Sequence, residues 1–179
     1  MQPSQHTLTQ NGDVPSIDVD FTKYPTAQKL LKRCQDFFSE IENEYILLLL
    51  SLYHFLTLFR TPGKHLEAYL NKNYGPGNPI YEDLCSLTLQ GLEEGWVANI
   101  ELDGPKYRRS KIAVPKEETR FLSITTVYMS SEEEYSGQYH AHPYGEINCV
   151  VQIDETAELK GMQGWQGAGW TSPGPGTHQ

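Results

Sequence analysis

Three residue types that bind first-row metals fall close together in the stretch Tyr139-His140-Ala141-His142-Pro143-Tyr144-Gly145-Glu146, which reads H-x-H-x3-E. Side chains alternate faces along a strand, so His140 and His142 share one face. Glu146 has the same parity and returns to that face if the Pro143–Gly145 break keeps register. Two imidazoles and a carboxylate on one face form a metal site with positions left open for water or substrate. The ordinary alternatives are a pair of structural strand histidines and a solvated carboxylate at a strand start.

A second feature lies at the end of the sequence: Gly167-x5-Pro173-x-Pro175-x2-His178. Glycines and prolines make a tight turn there, and a histidine follows at once. Such a turn can deliver one more imidazole, His178, to a site built mainly on another strand.

The two features together resemble the cupins, small jelly-roll β-barrels with a first motif G-x5-H-x-H-x3,4-E-x6-G and a second motif G-x5-P-x-G-x2-H-x3-N. His140, His142 and Glu146 match the first, while Glu134 and Ile153 stand where its flanking glycines would fall. Gly167, Pro173 and His178 match the second, with Pro175 in place of its glycine. Residues from about 74 to 178 further resemble the cupin-like 4-hydroxylaminobenzoate lyases of bacterial nitroarene catabolism. The stretches that carry this likeness are GPGNPIYEDLCSLTLQGLEEGWVANIELDGPKYRRSKI, GQYHAHPYGEINCVV and GWQGAGWTSPGPGTH.

The resemblance implies conversion of 4-hydroxylaminobenzoate to 3,4-dihydroxybenzoate and ammonia. It implies a divalent metal (Fe, Mn or Zn) held by His140, His142, Glu146 and His178; nitrogen and oxygen ligation does not choose among the three. A substrate carboxylate suits a guanidinium fork, and Arg108 and Arg109 sit on one expected strand, pointing opposite ways. Tyr139 and Tyr144 flank the ligands as acid groups or ring-stacking partners. Trp170, with Trp165, is a candidate pocket wall; core packing is the other reading for both. Other cupin chemistry, such as a dioxygenase or isomerase, and a non-catalytic truncated cupin are the competing functions.

The elements that must position these residues divide the chain in three. Residues 1–20 are polar and aperiodic, a disordered lead-in without the apolar core of a signal peptide. Residues 21–95 read as helical. Thr26 to Ser39 has apolar residues at helical spacing, with Thr26 as N-cap. Tyr45 to Phe59 is apolar nearly all round and reads as a buried helix, with a membrane-embedded segment or an inserted stretch as alternatives; a full span needs ~20 such residues. A short helix over His65 to Asn71 and a longer one from about Ile80 to Glu94, ended by Gly95, complete this part.

Residues 96–179 change to a period of two. Trp96–Glu101 and Lys106–Val114 flank Asp103-Gly104 as a hairpin. Phe121–Met129, Gln138–His142, Glu146–Ile153 and Ala157–Leu159 read as further strands, and Glu132–Glu134 as a solvated loop. The fold class expected is therefore α+β, a helical region followed by a cupin-like barrel. Barrels of this kind continue beyond their last histidine. The barrel is thus expected to be incomplete at the C-terminus, or paired with a second copy in a homodimer.

Composition limits the partners. Fourteen basic against 23 acidic residues give a net charge of −9 in a chain of 179. No net basic field exists to attract nucleic acid or an anionic membrane surface. Cys34, Cys85 and Cys149 are scattered and odd in number, which fits a reducing, cytoplasmic setting better than a disulfide framework. The expected partner is a small aromatic carboxylate.

Overall fold

The computed structural model describes residues 19–49, 61–137 and 141–178. The first helix, α1 (Pro25–Leu49), buries Ala27, Leu30, Leu31, Phe37 and Ile41, the face that its apolar spacing marks out. It starts at Pro25, which suits a first turn because proline lacks an N–H that would go unpaired there. Thr26 is consequently inside the helix and not its N-cap. Its hydroxyl donates to the Glu94 carboxylate, and the Trp96 indole N–H reaches both Glu94 Oε2 (2.8 Å) and Thr26 Oγ1 (3.2 Å). α1 runs on to Leu49, into the apolar stretch that begins at Tyr45. Residues 50–60 of that stretch, including His54, lie outside the described residues. No helix among the described residues is long and apolar enough to cross a membrane.

Pro62-Gly63 turns the chain into α2 (Lys64–Tyr74), and α3 (Pro79–Glu93) follows the Gly/Pro turn. Asn78 caps α3 through its Oδ1, which accepts from Ile80 N at 2.8 Å, with Pro79 in the first position. Beyond the last turn Gly95 takes φ 79°, the left-handed conformation that glycine adopts cheaply. Gly91 is required for a different reason. A Cβ there would lie 2.4 Å from the Trp96 ring, so the indole can lie flat on α3 only over a glycine.

The strands are β1 (Ile100–Asp103), β2 (Tyr107–Ala113), β3 (Ile124–Met129), β4 (Ala141–His142), β5 (Asn148–Val150), β6 (Leu159–Gly161), β7 (Gly164–Gln166), β8 (Gly169–Thr171) and β9 (Thr177–His178). They form an antiparallel sheet β1-β2-β3 and the two-stranded pairs β4-β9, β5-β8 and β6-β7. The hairpin at Asp103-Gly104 is present, but Trp96 to Ala98 do not extend it. Trp96 and Val97 donate their backbone N–H groups to Gly91 O, and Ala98 turns away with φ 48°. Phe121 likewise stands outside β3 at φ 60°. The Glu132–Glu134 loop is exposed, and β6 is displaced C-terminally from the expected Ala157–Leu159.

The fold is thus mixed α+β, as expected, but the described strands do not close into a barrel. Beside β8 the Asn71 amide from α2 accepts from Trp170 N and donates to Trp170 O, both at 2.8 Å, and so fills main-chain groups that a further strand would take. The Tyr81 hydroxyl from α3 bridges the paired strands β5 and β8, accepting from Gly169 N (2.8 Å) and donating to Val150 O (2.5 Å). One core joins the helical and β parts: Phe37, Leu70, Tyr74, Tyr81, Leu84, Trp96, Ile112 and Trp170 belong to the same buried cluster.

Candidate active site

Antiparallel pairing of β4 with β9 brings the two sequence motifs side by side. His142 faces Thr177, and Ala141 faces His178. The ends of this short ribbon are held by the main chain, Gly176 N donating to His142 O at 2.8 Å and Glu146 N to Pro173 O at 2.9 Å. Gly145 makes the bend between His142 and Glu146 with φ 77°, and a Cβ on it would lie 2.5 Å from Pro62 Cβ and 2.9 Å from Pro173 O. The glycine conformation and the close approach together return Glu146 to the His142 side.

His142 is 1% exposed. Its Nε2 lies 3.8 Å from Glu146 Oε2, whose side chain is 47% exposed. Its Nδ1 lies 3.2 Å from Thr177 Oγ1, and Thr177 Oγ1 donates to Gly174 O at 2.7 Å. A hydroxyl has one proton, and here it goes to Gly174 O. The oxygen is left to accept from Nδ1–H, so in the neutral imidazole the lone pair falls on Nε2, the nitrogen on the Glu146 side. A buried imidazole nitrogen beside a half-exposed carboxylate is a donor pair suited to a first-row divalent cation.

The other expected ligands stand differently. His140 and Tyr139 lie outside the described residues. His178 is in β9, but register sets it across from Ala141 and gives the place opposite His142 to Thr177. Among the described residues no group of three or more His, Cys, Asp or Glu is gathered for a metal. Tyr144 is 87% exposed on the turn after β4.

Arg108 and Arg109 fall on opposite faces of β2. Arg109 pairs with Ile100 and Val127 on the side where Val127 and Met129 are exposed. Arg108 pairs with Tyr128, a residue packed on the core, and its guanidinium carbon sits 4.3 Å from the Tyr128 ring centroid. The Arg108 Nε is buried and has no hydrogen-bond partner among the described residues. Of the two readings of Trp170, pocket wall and core packing, the structure agrees with core packing. The residue is 2% exposed, stacks on Phe37 at 4.6 Å and 11°, and donates its indole N–H to Tyr74 O at 2.7 Å. Trp165 is the exposed tryptophan and carries Lys160 Nζ 5.8 Å from its ring centroid.

The three cysteines are free and lie against the core, not at the site. Burial pushes the Cys34 thiol up to about 12. Cys85 is held below the ordinary thiol value by a hydrogen bond from Cys149, which is itself raised by that bond and by burial.

Sequence reasoning passed over Thr177, Ser172 and Glu67. Ser172 Oγ donates to Glu146 O at 2.9 Å and accepts from Gly63 N at 3.2 Å. Glu67 reaches the same turn from α2, accepting from Ser172 N at 2.9 Å. Thr177 was visible as the neighbour of His178, and an acid inside the apolar pattern of α2 was the available sign for Glu67.

Comparison with known proteins supports an enzyme of the lyase class. The chain belongs to the family described as PnbB, 4-hydroxylaminobenzoate lyase, which matches residues 54–179. It is 56% identical over 119 residues to a protein of Nocardioides sp. (strain LMS-CY) named 4-hydroxylaminobenzoate lyase, covering 66% of this chain and 70% of the relative. A Pseudomonas putida protein of the same name is 47% identical over 126 residues, covering 66% of this chain and 72% of the relative. No solved structure matches the chain.

Proposed function

We propose that the chain converts 4-hydroxylaminobenzoate and one water to 3,4-dihydroxybenzoate and ammonia, at a centre built on His142 and Glu146. The observation that carries this reading is the 3.8 Å approach of Glu146 Oε2 to the buried His142 Nε2, within the part of the chain matched by the lyase family. The balance needs no external oxidant. The N–O bond breaks and its oxygen leaves as water, a ring carbon beside the nitrogen-bearing carbon gains oxygen from one water, and a second water hydrolyses the resulting imine to release ammonia, a net uptake of one water.

Each residue has a part in this scheme. Glu146, half in solvent, is placed to take a proton from the attacking water. His142 Nε2 faces the same space, its tautomer set by Thr177. Arg108, and not Arg109, holds the substrate carboxylate, because its guanidinium lies on the core-facing side of the sheet with a buried Nε still to be paired. Tyr128 stacked beneath it stiffens that fork.

A divalent cation of the Fe, Mn or Zn kind fits the His142 and Glu146 donors, with His140 and His178 as the further ligands. When bound it supplies Lewis acidity toward the hydroxylamine oxygen. A jelly-roll ancestry explains why two separate motifs converge on this ribbon, although helices cover the edge of β8.

The test is to incubate the purified chain, reconstituted with each divalent metal, with 4-hydroxylaminobenzoate and to quantify ammonia and dihydroxybenzoate without molecular oxygen. Equimolar formation of both supports the reading. Turnover that appears only when oxygen is admitted, with no ammonia released, would favour a cupin dioxygenase instead.

A further inference from the structure

Glu67 is fully buried, with 0% of its surface exposed. A carboxylate in a core is costly unless its oxygens are paired. Here three backbone N–H groups pair them: Met162 N and Ser172 N to Oε2, and Gln163 N to Oε1, each at 2.9 Å. Met162 and Gln163 form the turn between β6 and β7, and Ser172 is the other donor. Ser172 begins the turn that leads from β8 to β9.

Ser172 is also 0% exposed, and its hydroxyl is used twice, donating to Glu146 O (2.9 Å) and accepting from Gly63 N (3.2 Å). The next residue completes the grip, since Pro173 O accepts from Glu146 N at 2.9 Å. Both main-chain polar groups of Glu146 are therefore held by Ser172 and Pro173. The Glu146 side chain, 47% exposed, has the 3.8 Å approach to His142 as its recorded polar contact among the described residues. Its placement depends on its backbone, and its backbone depends on Ser172.

We infer that Glu67 and Ser172 are positioning residues for Glu146: the buried carboxylate on α2 fixes the Ser172 main chain, and the Ser172 hydroxyl fixes Glu146 opposite His142. Neither touches the substrate. The inference rests on the proposed lyase function and deepens it, by naming what sets the geometry of the reacting pair. Displacement of a catalytic group by about 1 Å is enough to cost on the order of 100-fold in rate.

The test compares Ser172→Ala and Glu67→Gln with wild type and with Asn71→Ala. The last variant also removes two hydrogen bonds from the β8 backbone but leaves Glu146 O and N paired. Thermal midpoint, kcat and KM for ammonia release from 4-hydroxylaminobenzoate are measured for each folded protein. The expectation is a kcat loss of roughly 10- to 100-fold in Ser172→Ala and Glu67→Gln with KM little changed. Asn71→Ala should lower the thermal midpoint and keep the wild-type kcat. Glu67→Gln keeps side-chain volume, so it serves if Ser172→Ala does not fold. A folded Ser172→Ala or Glu67→Gln with wild-type kcat overturns the inference. So does a kcat loss in Asn71→Ala equal to theirs. Wild-type protein that releases no ammonia would sink the functional reading instead, and the two failures are thereby told apart.

Discussion

Thr177 stands directly across the β4–β9 ribbon from His142, its hydroxyl oxygen 3.2 Å from the imidazole Nδ1. Because that hydroxyl gives its proton to Gly174 O, it fixes which imidazole nitrogen carries a lone pair toward Glu146. Replacing Thr177 by valine keeps the shape and removes the acceptor. Loss of such an outer partner typically costs a ligating or catalytic histidine about 10- to 100-fold in activity. The expected outcome is a fall of that order in kcat/KM for Thr177→Val at an unchanged thermal midpoint.

The same register ranks the histidines. His178 is set across from Ala141, one place out of step with His142. His142→Ala should therefore lower bound metal and ammonia release more than His178→Ala does. Metal content after reconstitution, measured for both variants, checks the order. Equal losses would mean that β9 presents His178 to the centre despite its register.

Arg108 makes a prediction about substrate choice. Its guanidinium rests on Tyr128 with a buried Nε that has no partner among the described residues, and the proposed function assigns the fork to a ligand carboxylate. Arg108→Ala should raise KM for 4-hydroxylaminobenzoate strongly, by about the 10- to 100-fold that a charge-assisted hydrogen bond of ~1.5–3 kcal/mol represents. The carboxylate-free analogue, phenylhydroxylamine, should be turned over equally well by wild type and variant. Arg109→Ala, on the other face, should leave both substrates unaffected.

Acid stability should report on the N-terminal helix. Glu94 accepts hydrogen bonds from the Thr26 hydroxyl, the larger influence, and from the Trp96 indole, and both hold its carboxyl below its ordinary value of 4.5. A carboxyl depressed in the folded state stabilises the fold above the unfolded value, and the contribution disappears as pH falls through the folded one. Wild type should exceed Glu94→Gln in urea midpoint at neutral pH, and the gap should close as pH drops below about 4.5. A gap that stays constant across that range would show that Glu94 acts through packing alone.

The motifs were legible because they are local. H-x-H-x3-E announces its candidate donors within one strand and one turn, and the helices declared themselves through Leu30, Phe37 and Leu84 at helical spacing. Gly95 marked the end of α3 for the same reason, while the Asn78 cap at its start emerged from the structure. What could not be read is what acts at a distance. Asn71, Tyr81 and Glu67 each bond main-chain atoms that lie 69 to 105 residues further along the chain. A side chain that replaces a neighbouring strand leaves no periodic signal, so the sequence suggested a barrel incomplete at its C-terminus and carried no sign that Asn71 occupies the main-chain groups of Trp170. Trp170 was open to two readings because aromatic residues line pockets and cores alike; its stacking on Phe37 settles its place.

The central claim is that His142 and Glu146 form one reacting centre. It is tested most directly by ammonia release from 4-hydroxylaminobenzoate in wild type, His142→Ala, Glu146→Gln and the double variant. The account predicts an active wild type, severe loss in each single variant, and no further loss when the two are combined. Full activity in folded Glu146→Gln, or losses that simply multiply, would contradict it.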